Sequence, residues 1–153
     1  MPSLEPLSPK IQSSSRTILL VEDEPILRAV LSQGLRQNGY TVLEAGLGKD
    51  ALGICEQHVG PIHLLIGDVV LPKTKELEMK GSSSAELELN GTELARRIVA
   101  LRPQTRVIFI SGHPRETWKP HLVGQSGAAY LLKPFDPDSL SRKVREVLEA
   151  PGP

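Results

Sequence analysis

Five short apolar runs, separated by segments of helical spacing, set the rhythm of this chain. The runs are Thr17–Val21, Thr41–Ala45, His63–Gly67, Arg106–Ser111 and Ala128–Leu132. Each has strand length, and Ile, Leu, Val and Ala fill both alternating faces. A strand apolar on both faces is one covered on both sides, as in a parallel sheet. Between the runs, Pro25–Asn38 places Ile26, Leu27, Val30, Leu31 and Leu35 at helical intervals, and Asn38-Gly39 supplies a stop. Gly48–His58 predicts a second helix and Thr92–Leu101 a third, ended before Pro103. A fourth, Thr117–Gly124, is crowded by Pro114 and Pro120. The fifth, Pro137–Ala150, has Asp136 as N-cap and Pro137 in its first turn. Strands alternating with helices predict a three-layer α/β fold of the (βα)5 kind, with right-handed crossovers placing helices on both faces.

Two segments depart from this rhythm. Residues 1–15 hold three Pro and five Ser and predict a disordered tail or linker, with the domain itself at 16–150. Lys73–Leu89 separates the third strand from the third helix by far more than the ~2–6 residues usual for such a connection. Its centre, Gly81-Ser82-Ser83-Ser84, is a flexible linker between charged flanks. The insertion reads as a solvated loop or as a partner surface beside the site.

Composition narrows the classes. Lys and Arg number 18, as do Asp and Glu, so no bulk charge recruits nucleic acid or an anionic membrane. Apolar runs fall short of the ~20 residues of a membrane span, and no secretory signal is visible. Cys55 is the single cysteine, which fits a reducing, cytoplasmic location and excludes an internal disulfide. It reads as a core residue on the second helix, and the four His have no ligand spacing.

The chemistry lies at the carboxyl ends of the strands, where open α/β sheets hold ligands. Glu22-Asp23-Glu24 follows the first strand, Asp68 the third, Ser111 and Gly112 close the fourth, and Lys133-Pro134 follows the fifth. Carboxylates gathered there repel one another unless a cation joins them. Mg²⁺ suits the oxygen donors, since it takes one or two carboxylates with carbonyl, phosphate and water oxygens. A lysine at the same edge would pair with a phosphoryl oxygen. The set points to phosphoryl transfer.

The strings LLVEDEP, LLIGDVVLP, NGTELARRI, VIFISGH and GAAYLLKPF, in that order, resemble the receiver domain of two-component response regulators. The resemblance runs from Thr17 to Leu148 and is nearest in flavour to receivers of hybrid sensor histidine kinases. It implies the flavodoxin-like strand order 2-1-3-4-5. It also implies roles. Asp68 would accept a phosphoryl group from a histidine kinase or histidine phosphotransfer protein. Glu22, Asp23, Asp68 and the backbone carbonyl of Val70 would hold Mg²⁺. Ser111 and Lys133 would contact the phosphoryl group, and Ser111 and Tyr130 would move together as the switch. Pro134 would follow a cis bond. The domain would assist its own phosphorylation without being an enzyme in its own right, and would signal through a protein surface. The alternative is a pseudo-receiver that binds protein without phosphorylation. Plainer roles also exist: Glu22 and Asp23 as a helix cap, Tyr130 as a packing ring, Trp118 as core or exposed anchor.

Overall fold

The computed structural model describes residues 15–68, 91–112 and 128–151. Its elements in chain order are β1 (Thr17–Val21), α1 (Pro25–Gln37), β2 (Thr41–Ala45), α2 (Gly48–Gln57), β3 (Leu64–Asp68), α3 (Gly91–Leu101), β4 (Arg106–Ser111), β5 (Ala129–Leu132) and α4 (Pro137–Glu149). The expected helix at 117–124, the insertion 73–89 and the tail before residue 15 lie outside the described residues. All strand pairs are parallel and their order is β2-β1-β3-β4-β5, as the resemblance implied.

The alternation along each strand divides the core in two. Ile18, Leu20, Leu64, Ile66, Ile108 and Ile110 face α1 and α4, meeting Leu31, Leu35, Leu140, Val144 and Leu148. Leu19, Val21, Leu65, Val107 and Phe109 face the other way, meeting Ala51 and Cys55 of α2 and Leu94, Ala95 and Ile98 of α3. Each fully buried Ile or Leu contributes about 1.5–3 kcal/mol relative to exposure. Cys55 is a buried core residue, as expected.

The helices begin and end for local reasons. Pro25 opens α1, and Gly39 follows it with a φ of 95°, a left-handed conformation that glycine adopts without strain. Asp136 caps α4, its side chain accepting from the Ser139 amide at 2.7 Å, with Pro137 next. β3 begins and ends one residue later than the apolar run suggests, because Asp68 still pairs with Ile110 in the ladder. His63, just before β3, serves instead as an acceptor: its Nδ1 takes the Thr17 amide proton at 2.9 Å. No helix among the described residues is long and apolar enough to cross a membrane.

Candidate functional site

Parallel pairing brings the predicted residues to one edge. Val21 is aligned with Gly67, so Glu22 and Asp68 stand at the same level on neighbouring strands. Asp68 is aligned with Ile110, one residue before Ser111, and Ser111 with Leu132, one residue before Lys133. The Lys133 amide donates to the Ser111 carbonyl at 2.7 Å, which extends the ladder into the β5–α4 loop. The Lys133–Pro134 bond is cis.

Lys133 joins the carboxylates. Its Nζ lies 2.9 Å from Asp68 Oδ2 and 3.8 Å from Glu22 Oε1. Burial alone would push this ammonium down, and it is the largest influence. The hydrogen bond and charge of Asp68, with the charges of Glu22 and Asp23, outweigh it and hold the pKa above the usual lysine value. Lys133 is therefore a fixed cation at neutral pH.

Glu22 is the unusual member. It is only 3% exposed, and burial pushes its pKa above the usual carboxylate value. The Glu24 amide, which donates to Glu22 Oε2 at 3.2 Å, and the charge of Lys133 oppose this; Asp68 and Asp23 reinforce it. Glu22 is not a helix cap. The N-cap of α1 is Glu24, and its side chain makes no capping hydrogen bond. Asp23 is half-buried on the same loop. Ser111 is 3% exposed at the end of β4. Tyr130 lies within β5, half-buried, its ring stacked on Phe109 with centroids 6.3 Å apart. That contact accounts for packing by itself. Val70 lies outside the described residues.

The donor set suits a hard cation. Glu22, Asp23 and Asp68 present oxygen only, and two of them already share an ammonium ion. Among the described residues no group of three or more His, Cys, Asp or Glu is arranged to hold a metal ion. Mg²⁺ does not require one, since it keeps several waters and uses one or two carboxylates.

Two residues at this edge were not singled out by the sequence. The Arg28 Nη1 donates to the Glu22 backbone carbonyl at 2.7 Å, and Gly46 lies directly beneath that guanidinium. A signal for Arg28 existed: a cation in the opening turns of a helix is opposed by the helix dipole and needs a local reason.

Known proteins with this arrangement are numerous. The family model for the response regulator receiver domain matches residues 18–145. The sensor kinase CckA of Brucella abortus (strain 2308) is 34% identical over 137 residues, which are 90% of this chain and 13% of that protein. The response regulator receiver protein CpdR of the same organism is 29% identical over 135 residues, 88% of this chain and 98% of that one. The crystal structure of the receiver domain from the hybrid histidine kinase CckA superposes with a TM-score of 0.65 at 34% identity. It covers 87% of this chain and 99% of the other. This chain, with its parallel five-stranded sheet and its acidic, lysine-bridged carboxyl edge, belongs to the response regulator receiver domains of two-component systems.

Proposed function

We propose that Asp68 accepts a phosphoryl group from a phosphohistidine of a partner kinase or histidine phosphotransfer protein, with Mg²⁺, and that Ser111 and Tyr130 relay the change to a protein-binding surface. The observation that carries this reading is the Lys133–Asp68 contact of 2.9 Å beside the buried Glu22. A lysine that only decorated the surface would not be drawn into a crowd of carboxylates at the end of a parallel sheet.

The chain's own groups then have separate tasks. An Asp68 carboxylate oxygen attacks phosphorus, the P–N bond to the donor imidazole breaks, and the imidazole nitrogen keeps the bonding pair. Lys133 sits where it can pass from the carboxylate to a phosphoryl oxygen, because its ammonium is already placed and already charged. The Ser111 hydroxyl is a donor for another phosphoryl oxygen. Glu22, Asp23, Asp68 and the Val70 carbonyl are the groups that would hold Mg²⁺, which when bound neutralises charge on the transferring phosphoryl group. The added group carries about −1.5 to −2 charges, enough to draw Ser111 and Lys133 into a new arrangement. Tyr130, on the strand that leads into Lys133, would follow through its packing on Phe109.

The test is beryllofluoride with Mg²⁺, followed by amide chemical shifts. Shifts at Asp68, Ser111, Tyr130 and Lys133 are expected together. An unchanged spectrum would sink the switch and favour a phosphorylation-independent binding module.

A further inference from the structure

We propose that Arg28, held by Glu44 and accommodated by Gly46, is a positioning residue that clamps the acidic loop in the orientation needed to bind a divalent cation. The inference rests on the metal reading above and assigns residues outside the proposed ligand set to that site.

The Glu22 backbone is held on both sides of its Cα, one bond on each flanking peptide. Its N–H donates to the Ala45 carbonyl at 3.0 Å, and its C=O accepts from Arg28 Nη1 at 2.7 Å. The Glu22 side chain closes a third bond, to the Glu24 amide at 3.2 Å. The carbonyl that Arg28 holds belongs to the same peptide plane as the Asp23 amide. Fixing that plane fixes the direction in which Asp23 leaves the backbone. Arg28 is itself aimed. Its Nε lies 3.6 Å from Glu44 Oε1, while Ser32 and Arg36 occupy Glu44 Oε2 at 2.9 and 3.1 Å. A planar guanidinium spans two such partners; a point cation does not.

Gly46 is the third part. Its φ is not positive, so backbone conformation does not demand glycine there. Space does: a Cβ would lie 2.8 Å from Arg28 Nη1 and 3.9 Å from the Glu22 carbonyl oxygen. The atom in the way is the far end of a flexible side chain, so Gly46→Ala moves the guanidinium rather than the backbone. It therefore displaces the clamp without removing its charge.

Charge and position predict opposite signs. As a nearby cation, Arg28 repels Mg²⁺, so by charge alone Arg28→Met would strengthen binding. As a clamp, its loss weakens binding, as losing groups that orient metal ligands generally does, by about 10–100-fold. The experiment titrates Mg²⁺ alone into the full chain, Gly46→Ala, Arg28→Met and the double variant, following amide shifts and calorimetry. Asp23→Ala is the control, and thermal unfolding is measured without metal. Expected are about tenfold weaker Mg²⁺ binding in Gly46→Ala and a shifted Asp23 amide even in metal-free protein. Its unfolding midpoint should stay near that of the unsubstituted chain. In the Arg28→Met background, Gly46→Ala should change nothing further, because it acts only through the arginine. If the unsubstituted chain binds Mg²⁺, Asp23→Ala binds it about tenfold or more weakly, and Gly46→Ala and Arg28→Met bind at least as well as the unsubstituted chain, the clamp is overturned alone. If the unsubstituted chain binds no Mg²⁺, the metal reading is overturned and the clamp with it.

Discussion

The two edges of the sheet use polar groups in opposite ways. At the amino edge, among the described residues, side-chain donors tie loops and helix ends down. Arg102 donates to the carbonyls of Cys55, His58 and Gly60 at 3.0, 2.8 and 2.7 Å, closing the end of α2. Thr105 donates to the Ile62 carbonyl at 2.7 Å, and Arg106 to the Val147 carbonyl at the end of α4. These are cations and a hydroxyl meeting backbone carbonyls, those of Cys55 and Val147 in the last turns of α2 and α4 and the others in the segment that follows α2. At the carboxyl edge, by contrast, the carboxylates of Asp68 and Glu22 crowd one ammonium, that of Lys133, and Glu22 is buried at a cost to its own charge. The amino edge spends polarity on stability; the carboxyl edge retains an arrangement that stability alone would discard. Such a site reads as function.

Substitutions at the amino edge should therefore lower stability, whereas those at the carboxyl edge should leave it little changed or raise it. The largest effect is expected at the amino edge. Arg102→Ala leaves three carbonyls without their charged donor and should lower unfolding stability by about 2–4 kcal/mol in chemical denaturation, while Mg²⁺ affinity holds. Asp23→Ala should do the reverse. Stability should change little and Mg²⁺ affinity should fall by about tenfold or more, measured calorimetrically. Glu22→Gln sharpens the contrast. It keeps an acceptor for the Glu24 amide and removes a buried charge, so metal-free protein at neutral pH should become more stable. The sign follows from the raised pKa. Between the unfolded value of 4.5 and the higher folded value, the folded state holds the extra proton, so stability falls as pH rises through that window. A less stable Glu22→Gln would mean that Lys133 and the loop more than compensate the burial.

The smallest effect belongs to His63. Burial, with the charge of Arg16, lowers its pKa below 6.5, and its Nδ1 must stay unprotonated to accept the Thr17 amide. Below pH 6.5 the unfolded state takes up a proton that the folded state refuses. Stability contributed here is therefore complete above 6.5 and declines as pH drops toward the folded value. His63→Gln should flatten that slope in pH-dependent unfolding.

Much of this contrast was legible in the sequence, and for physical reasons. Strands buried on both faces announce themselves as apolar runs, so three of the five strand spans match residue for residue. β3 was displaced by one residue because hydropathy excludes Asp68, whereas the ladder with Ile110 includes it. The residues that meet at the carboxyl edge were legible because each directly follows or ends a strand. What they do to one another was not. The burial of Glu22 in particular has no signature in an acidic loop, yet the residue is only 3% exposed. Arg28 and Gly46 are 18 residues apart in number, and their relation exists only once β2 lies beside β1. His63 looked like the start of a strand; its role depends on where Thr17 ends up.

On the proposed function, the carboxyl edge carries a phosphoryl group on Asp68. The most direct measurement is incubation with acetyl phosphate and Mg²⁺, followed by mass-spectrometric mapping of the modified residue. A single phosphoryl group on the peptide containing Asp68, absent from Asp68→Asn, is the predicted result. Phosphorylation that persists undiminished in Asp68→Asn, or a folded, Mg²⁺-binding chain that takes up none, would contradict it.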